Sequence, residues 1–193
     1  MTHFFGIPDE QFIRGNIPMT KQEIRTMVLA KARICPHDIV VDVGAGTGSL
    51  SIEAALQAEA GKVYAIEREQ EGIELIRANA VKFGLSNLVA ISGTAPAAMK
   101  AVPAKADVLL IGGSGGHLPE ILAEGSAFLK QNGRMVITAV TIETLQQSLH
   151  FMRQAADFSC EAFGLQVTRI RQVGAGNMLQ ALNPIYIIAC TKV

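Results

Sequence analysis

The residues best suited to chemistry are Asp42, the run Gly44-Ala45-Gly46-Thr47-Gly48, and Glu67, which lies 23 positions beyond Gly44. Glycines so spaced permit a tight turn and let a ligand approach the backbone closely. An acidic residue about twenty positions on is where a carboxylate meets ribose hydroxyls, accepting from both and repelling an added 2′-phosphate. A dinucleotide fingerprint would carry its third glycine at position 49, but that residue is Ser49 and the glycine falls at 48. The spacing is therefore GxGxG rather than GxGxxG. Two further small-residue loops are candidates, Gly93-Thr94-Ala95-Pro96 and Gly112-Gly113-Ser114-Gly115-Gly116-His117. The similar letters Val173-Gly174-Ala175-Gly176-Asn177 have no helix after them and read as a flexible loop.

The elements that must position these loops alternate. Thr20-Lys21-Gln22-Glu23 has the form of a capping box, so a helix is expected to about Ile34. Ile39 to Val43 is an apolar run suited to a parallel strand covered on both faces. The glycine run, a helix from Ser49 to Ala60 and a strand from Lys62 to Ile66 complete a strand, loop, helix, strand unit. A helix over 71–83, strands over 88–92 and 106–111, a helix over 118–129, a strand over 134–138 and a helix over 142–154 continue the pattern. Segments 160–173 and 185–191 are β-type with no helix between them and imply an antiparallel pair. The expectation is an α/β chain with a Rossmann-like doubly wound sheet of seven strands, five parallel and closed by a C-terminal antiparallel hairpin. Residues 1–193 read as one domain: an N-terminal segment and helix (1–35), a core (36–155) and the hairpin (156–193).

Asp42 followed by GxGxG at the end of the first strand resembles motif I of the class I S-adenosylmethionine (SAM) methyltransferases. That resemblance implies SAM as cofactor, with Thr94 and Ala95 as contacts for its adenine. Amino-group methyltransferases often carry a D/N-P-P-Y element after the fourth strand. Here Leu109-Leu110-Ile111-Gly112-Gly113 stands instead, which makes a base or amide nitrogen a poor acceptor. Gly113, Ser114 and Gly115 form a loop without side-chain bulk, suited to a large flat substrate; a plain loop and helix start weighs equally.

Residues 6–25, GIPDEQFIRGNIPMTKQEIR, are similar to the N-terminal signature of the decarboxylating cobalt-precorrin-6B (carbon-15) methyltransferases of cobalamin biosynthesis. The similarity runs through VDVGAGTGSLSIEAA, the 93–96 turn, the IGGSGG loop and Asn183-Pro184, nearly the whole chain. It implies C-methylation of a corrin precursor with loss of carbon dioxide from an acetate side chain, on a homotetramer. It also implies that Thr20, Gly44 to Gly48, Glu67 and Ala95 contact SAM.

That chemistry asks mainly for alignment of donor methyl and nucleophilic carbon in a dry pocket, with no side-chain nucleophile. A substrate with several carboxylates calls for cations at the pocket mouth. Arg14, Lys21, Arg169 and Arg171 are candidates, each weighed against a solvated surface role, and His117 is a weak candidate proton donor.

Composition narrows the alternatives. The 193 residues are 49% apolar and 18% charged, with a formal net charge of +0 and mean hydropathy of +0.30. A polyanion partner usually demands a basic excess, so nucleic acid is disfavoured, and with it an RNA methyltransferase. A non-catalytic SAM-binding module is the other alternative. Three cysteines without CxxC spacing and four scattered histidines spell neither a disulfide framework nor a metal site. No basic leader precedes an apolar stretch and no run spans a membrane, so a cytoplasmic protein is expected. The apolar excess suggests burial against another subunit, in the hairpin region.

Overall fold

The computed structural model describes residues 6–193; Met1–Phe5, with His3, lie outside the described residues. Among the described residues, α1 (Gln22–Ala32) leads to β1 (Ile39–Val43), α2 (Ser49–Gln57), β2 (Lys62–Glu67), α3 (Gln70–Lys82) and β3 (Leu88–Ser92). β4 (Ala106–Ile111), α4 (Leu118–Phe128), β5 (Leu129–Ala139) and α5 (Ile142–Gln154) follow. The chain ends in β6 (Phe158–Leu165), β7 (Thr168–Val173), β8 (Gly176–Ala181) and β9 (Ile185–Lys192).

Seven strands form one sheet in the order β3-β2-β1-β4-β5-β9-β6. The first five are parallel, and β9 runs antiparallel to both β5 and β6. The expected five-plus-hairpin sheet is thus the one formed. Alternating side chains of its central strands feed two helix layers. Val41, Val43, Leu109, Ile111, Met135 and Ile137 pack with Leu118 and Ile121 of α4. Val40, Val108, Leu110 and Val136 pack with Val28 and Leu29 of α1 and with Ala54 of α2. Burial on both faces accounts for the unbroken apolar runs.

Several expectations need correction. The 160–173 segment is not one strand. β9 has eight residues, each partnered by one residue from Phe158 to Leu165, so no pairing edge remains beyond Leu165. Thr168–Val173 therefore leaves the sheet and pairs with Gly176–Ala181 as a separate two-stranded ribbon. Val173 pairs with Gly176, and Gly174 takes φ +59° at the first central position of a two-residue turn. The supposed flexible loop is a hairpin turn.

Thr20 does not cap α1. Lys21 is the residue before the helix, and the Gln22 N–H donates 3.0 Å to Asp9 Oδ1, thirteen positions upstream. Glu23 is drawn instead to Arg169. α1 ends at Ala32 because Arg33 turns left-handed (φ 46°), and α2 stops at Gln57 rather than Ala60. β5 begins at Leu129, not Arg134; a register shift opposite Ala106–Val108 absorbs residues 130–133.

Cys160 and Cys190, 30 positions apart, are directly opposed on β6 and β9 and joined as a disulfide, leaving Cys35 free and exposed. Strand register brings these cysteines together, which spacing along the chain could not reveal.

Candidate active site

The carboxyl ends of β1, β2, β3 and β4 open onto one cavity of about 470 Å³, within the usual range for small-ligand sites. Gly44, Ala45 and Gly46 form its floor. Gly44 adopts φ +70° and Gly46 φ +57°. A Cβ at Gly44 would lie 2.3 Å from the Gly113 carbonyl oxygen, so the two glycine loops meet backbone to backbone. Their contact follows from β1 and β4 being neighbours in register, Val43 opposite Ile111. Gly112 N donates to Val43 O at 3.0 Å and locks the arrangement.

Glu67, 8% exposed, stands at the tip of β2 and faces the floor. Its Oε2 accepts from Gly46 N at 2.8 Å; its Oε1 accepts from Arg68 N at 2.8 Å and from Glu69 N at 2.9 Å. A carboxylate has about four acceptor sites. One strong site is left for a ligand hydroxyl, and a second opens only if Gly46 N–H turns away.

Asp42 lies beneath the loop on β1, buried, and accepts a hydrogen bond from Ser51 Oγ. Burial, helped by the charge of Glu67 and opposed by the Ser51 bond, pushes its pKa up from 3.8 to about 6.

A strap, residues 6–21, roofs the cavity with Ile17, Pro18 and Met19 and brings Thr20 and Lys21 to its wall. Fully buried Arg25 of α1 ties the strap down: its guanidinium donates to Glu53 Oε1 and Asp9 Oδ1, each at 2.8 Å, and to the carbonyls of Thr20 and Ile7. Partial burial works to raise the Asp9 pKa, but the hydrogen bond and charge of Arg25, with Lys21 and the Gln22 N–H, hold it below 3.8. From α3, Asn79 accepts from Ile13 N at 2.8 Å and donates to the carbonyls of Ile13 and Thr47, while Glu71 accepts from Asn16 N at 2.7 Å. One asparagine thus joins strap and glycine loop.

The cavity wall gathers Thr20, Lys21, Gly44, Ala45, Gly46 and Glu67. It also gathers Thr94, Ala95, Gly113, Ser114 and Gly115. Other candidates fall elsewhere. Thr47 is buried below the loop with Oγ1 unpartnered, and Gly48 precedes α2 in a left-handed turn (φ +78°), where a Cβ would strike Ile76. Arg14 is exposed on the outer strap, and His117 is exposed at the start of α4. Arg171 sits on the exposed ribbon, and Arg169, also on β7 rather than in the main sheet, donates to Glu23 Oε1 at 2.8 Å. Sequence reasoning missed Arg68, Glu69, Thr138, Val140 and Ile185, which complete the wall from three different strand ends. Only Arg68, adjacent to Glu67, had a signal in the chain. Among the described residues no group of three or more His, Cys, Asp or Glu could hold a metal.

This sheet order, with a glycine loop after β1 and an acid closing β2, defines the class I SAM-dependent methyltransferase fold. Residues 11–192 match the family model of the precorrin methyltransferase domain, and the chain belongs to that family. A probable cobalt-precorrin-6B C(15)-methyltransferase (decarboxylating) of Saccharolobus solfataricus is 40% identical over 190 residues, 97% of this chain and 96% of the relative. A crystal structure of precorrin-6y C5,15-methyltransferase from Geobacter metallireducens superposes with a TM-score of 0.90 at 33% identity, covering 97% of each chain. The precorrin 8w decarboxylase of Methanobacterium thermoautotrophicum gives 0.89 at 34%, covering 97% of this chain and all of that one.

Proposed function

We propose that this chain is a SAM-dependent, decarboxylating methyltransferase of cobalamin biosynthesis, acting on carbon-15 of cobalt-precorrin-6B. The observation that carries the reading is the paired glycine loops: a floor at Gly44–Gly46 that any Cβ would fill, facing Glu67, beside a second loop free of side-chain bulk. That cradle fits a nucleoside-bearing methyl donor. Gly44 to Gly46 and Glu67 would hold SAM, with Thr20, Thr94 and Ala95 along its flanks; Thr47 and Gly48 would shape the loop from below. When bound, SAM supplies an electrophilic methyl group. The chain's own part is to align and to exclude water: the strap roofs the donor, and Val140 and Ile185 offer an apolar shelf for the tetrapyrrole. Among the described residues no Cys or His lines the cavity, and a methyl displacement asks for no enzyme nucleophile. The conjugated ring can take up the electrons released by decarboxylation, so the chain need only hold the ring and its carboxylates.

Incubation with SAM and cobalt-precorrin-6B is expected to yield a product heavier by one methyl and lighter by one carbon dioxide. Absence of turnover on every corrin precursor overturns the reading. Zero net charge speaks against the RNA methyltransferase alternative.

A homotetramer of single-domain subunits in the cytoplasm belongs to the same proposal. Its support is the ribbon, where Ile170 and Leu179 are cross-strand partners, each 71% exposed, with Val173 and Met178 exposed on the other face. No described helix is long and apolar enough to cross a membrane. A cytoplasmic site is expected to keep the opposed Cys160 and Cys190 reduced, so protein taken from cells should show three alkylatable thiols per chain, and a single one overturns that location.

A further inference from the structure

Arg68 follows Glu67 at the end of β2 but reaches across the cavity to the loop after β4. Its Nη1 lies 3.3 Å from where a Cβ on Gly115 would stand. Because β1 lies between β2 and β4, the side chain arches over the Gly44–Gly46 floor. Its Nε donates to Glu69 Oε1 at 3.1 Å, while neither Nη has an acceptor among the described residues. At 57% exposure the guanidinium fork sits at the cavity mouth. The wall's other cation, Lys21, is 3.6 Å from Asp9 Oδ2 and so already paired. Arg68 also shares its charge with Glu69 through Nε, but its two Nη groups, unlike the single Lys21 ammonium, remain open as a planar pair of donors to an incoming anion.

Resting on the methyltransferase reading above, we infer that Arg68 is a substrate-binding residue that takes a side-chain carboxylate of the tetrapyrrole in a forked hydrogen bond beside the methyl donor. The fork geometry suits a carboxylate, and the pair forms where water still screens it, so it sets affinity and ring orientation without the cost of full burial. Gly115, at φ +59°, leaves the space that the Arg68 side chain needs.

The test uses Arg68→Gln and Arg68→Lys. With SAM saturating, Arg68→Gln is expected to raise KM for cobalt-precorrin-6B by roughly ten- to hundred-fold. SAM affinity by calorimetry is expected to stay within about twofold, and Arg68→Lys to recover part of the loss. Added salt should raise the wild-type KM and leave that of Arg68→Gln nearly flat. An unchanged tetrapyrrole KM, or a loss of SAM affinity beyond that margin, overturns the assignment while the wild-type enzyme stays active. A wild-type enzyme that turns over no corrin precursor instead overturns the parent reading, and the role of Arg68 with it.

Discussion

Glu67 carries three backbone N–H donors on a carboxylate with about four acceptor sites, so it organises the floor of the cavity before any ligand arrives. Glu67→Ala is expected to weaken SAM binding by about 1–3 kcal/mol in calorimetry. Glu67→Gln, which retains one acceptor oxygen, should lose less; unchanged affinity in both removes the ribose role. Asp42 makes a different prediction. Its carboxyl titrates near 3.8 when unfolded and at about 6 when folded. Between those values the native state binds the extra proton, so this residue makes stability fall as pH rises through the window, and the penalty is complete above it. Asp42→Asn keeps an oxygen for Ser51 Oγ. Unfolding of the cofactor-free variant should lack that decline, a difference of about 1–3 kcal/mol between acid and neutral pH; parallel wild-type and variant profiles would remove it.

At the scale of elements, the strap has no regular structure beyond one short turn, and its place depends on side chains sent from α1, α2 and α3. Arg25 is the central one. Arg25→Met leaves Glu53 buried without its cation and is expected to cost about 3–5 kcal/mol of stability in denaturant unfolding. Arg25→Met combined with Glu53→Leu should cost less than the single change, because it removes the stranded charge; a larger loss in the double variant would contradict this account. The lowered Asp9 pKa adds stability that is fully present above the ordinary carboxyl range and is lost as pH falls through its folded value below 3.8.

For the whole molecule, the ribbon is the feature that a lone subunit leaves unexplained. All twelve residues of β7 and β8 are exposed, and Ile170 and Leu179 sit side by side in water. Light scattering is expected to report four times the chain mass of 20.6 kDa. Ile170→Lys with Leu179→Lys should lower the assembly while SAM affinity persists; an unchanged mass would place the subunit contact elsewhere. The apolar content has two destinations, strands covered on both faces and this ribbon, and only the second asks for a partner.

The chain by itself determined the α/β alternation, the Asp42 and GxGxG turn, and Glu67. These depend on local periodicity and on residue types within one strand, loop, helix unit. Thr20 was legible too, though as a wall residue rather than a cap. Tertiary structure decided what depends on pairing between distant segments. The eight-residue length of β9 set where β6 ends and cast Arg169 and Arg171 out of the sheet. The adjacency of β2, β1 and β4 carried Arg68 over to Gly115, and Arg25 drew Asp9, Thr20 and Glu53 to one point. His117 and Arg14 had suitable chemistry, but both are exposed and neither lines the cavity. Side-chain direction follows from register and packing, which composition and spacing do not encode.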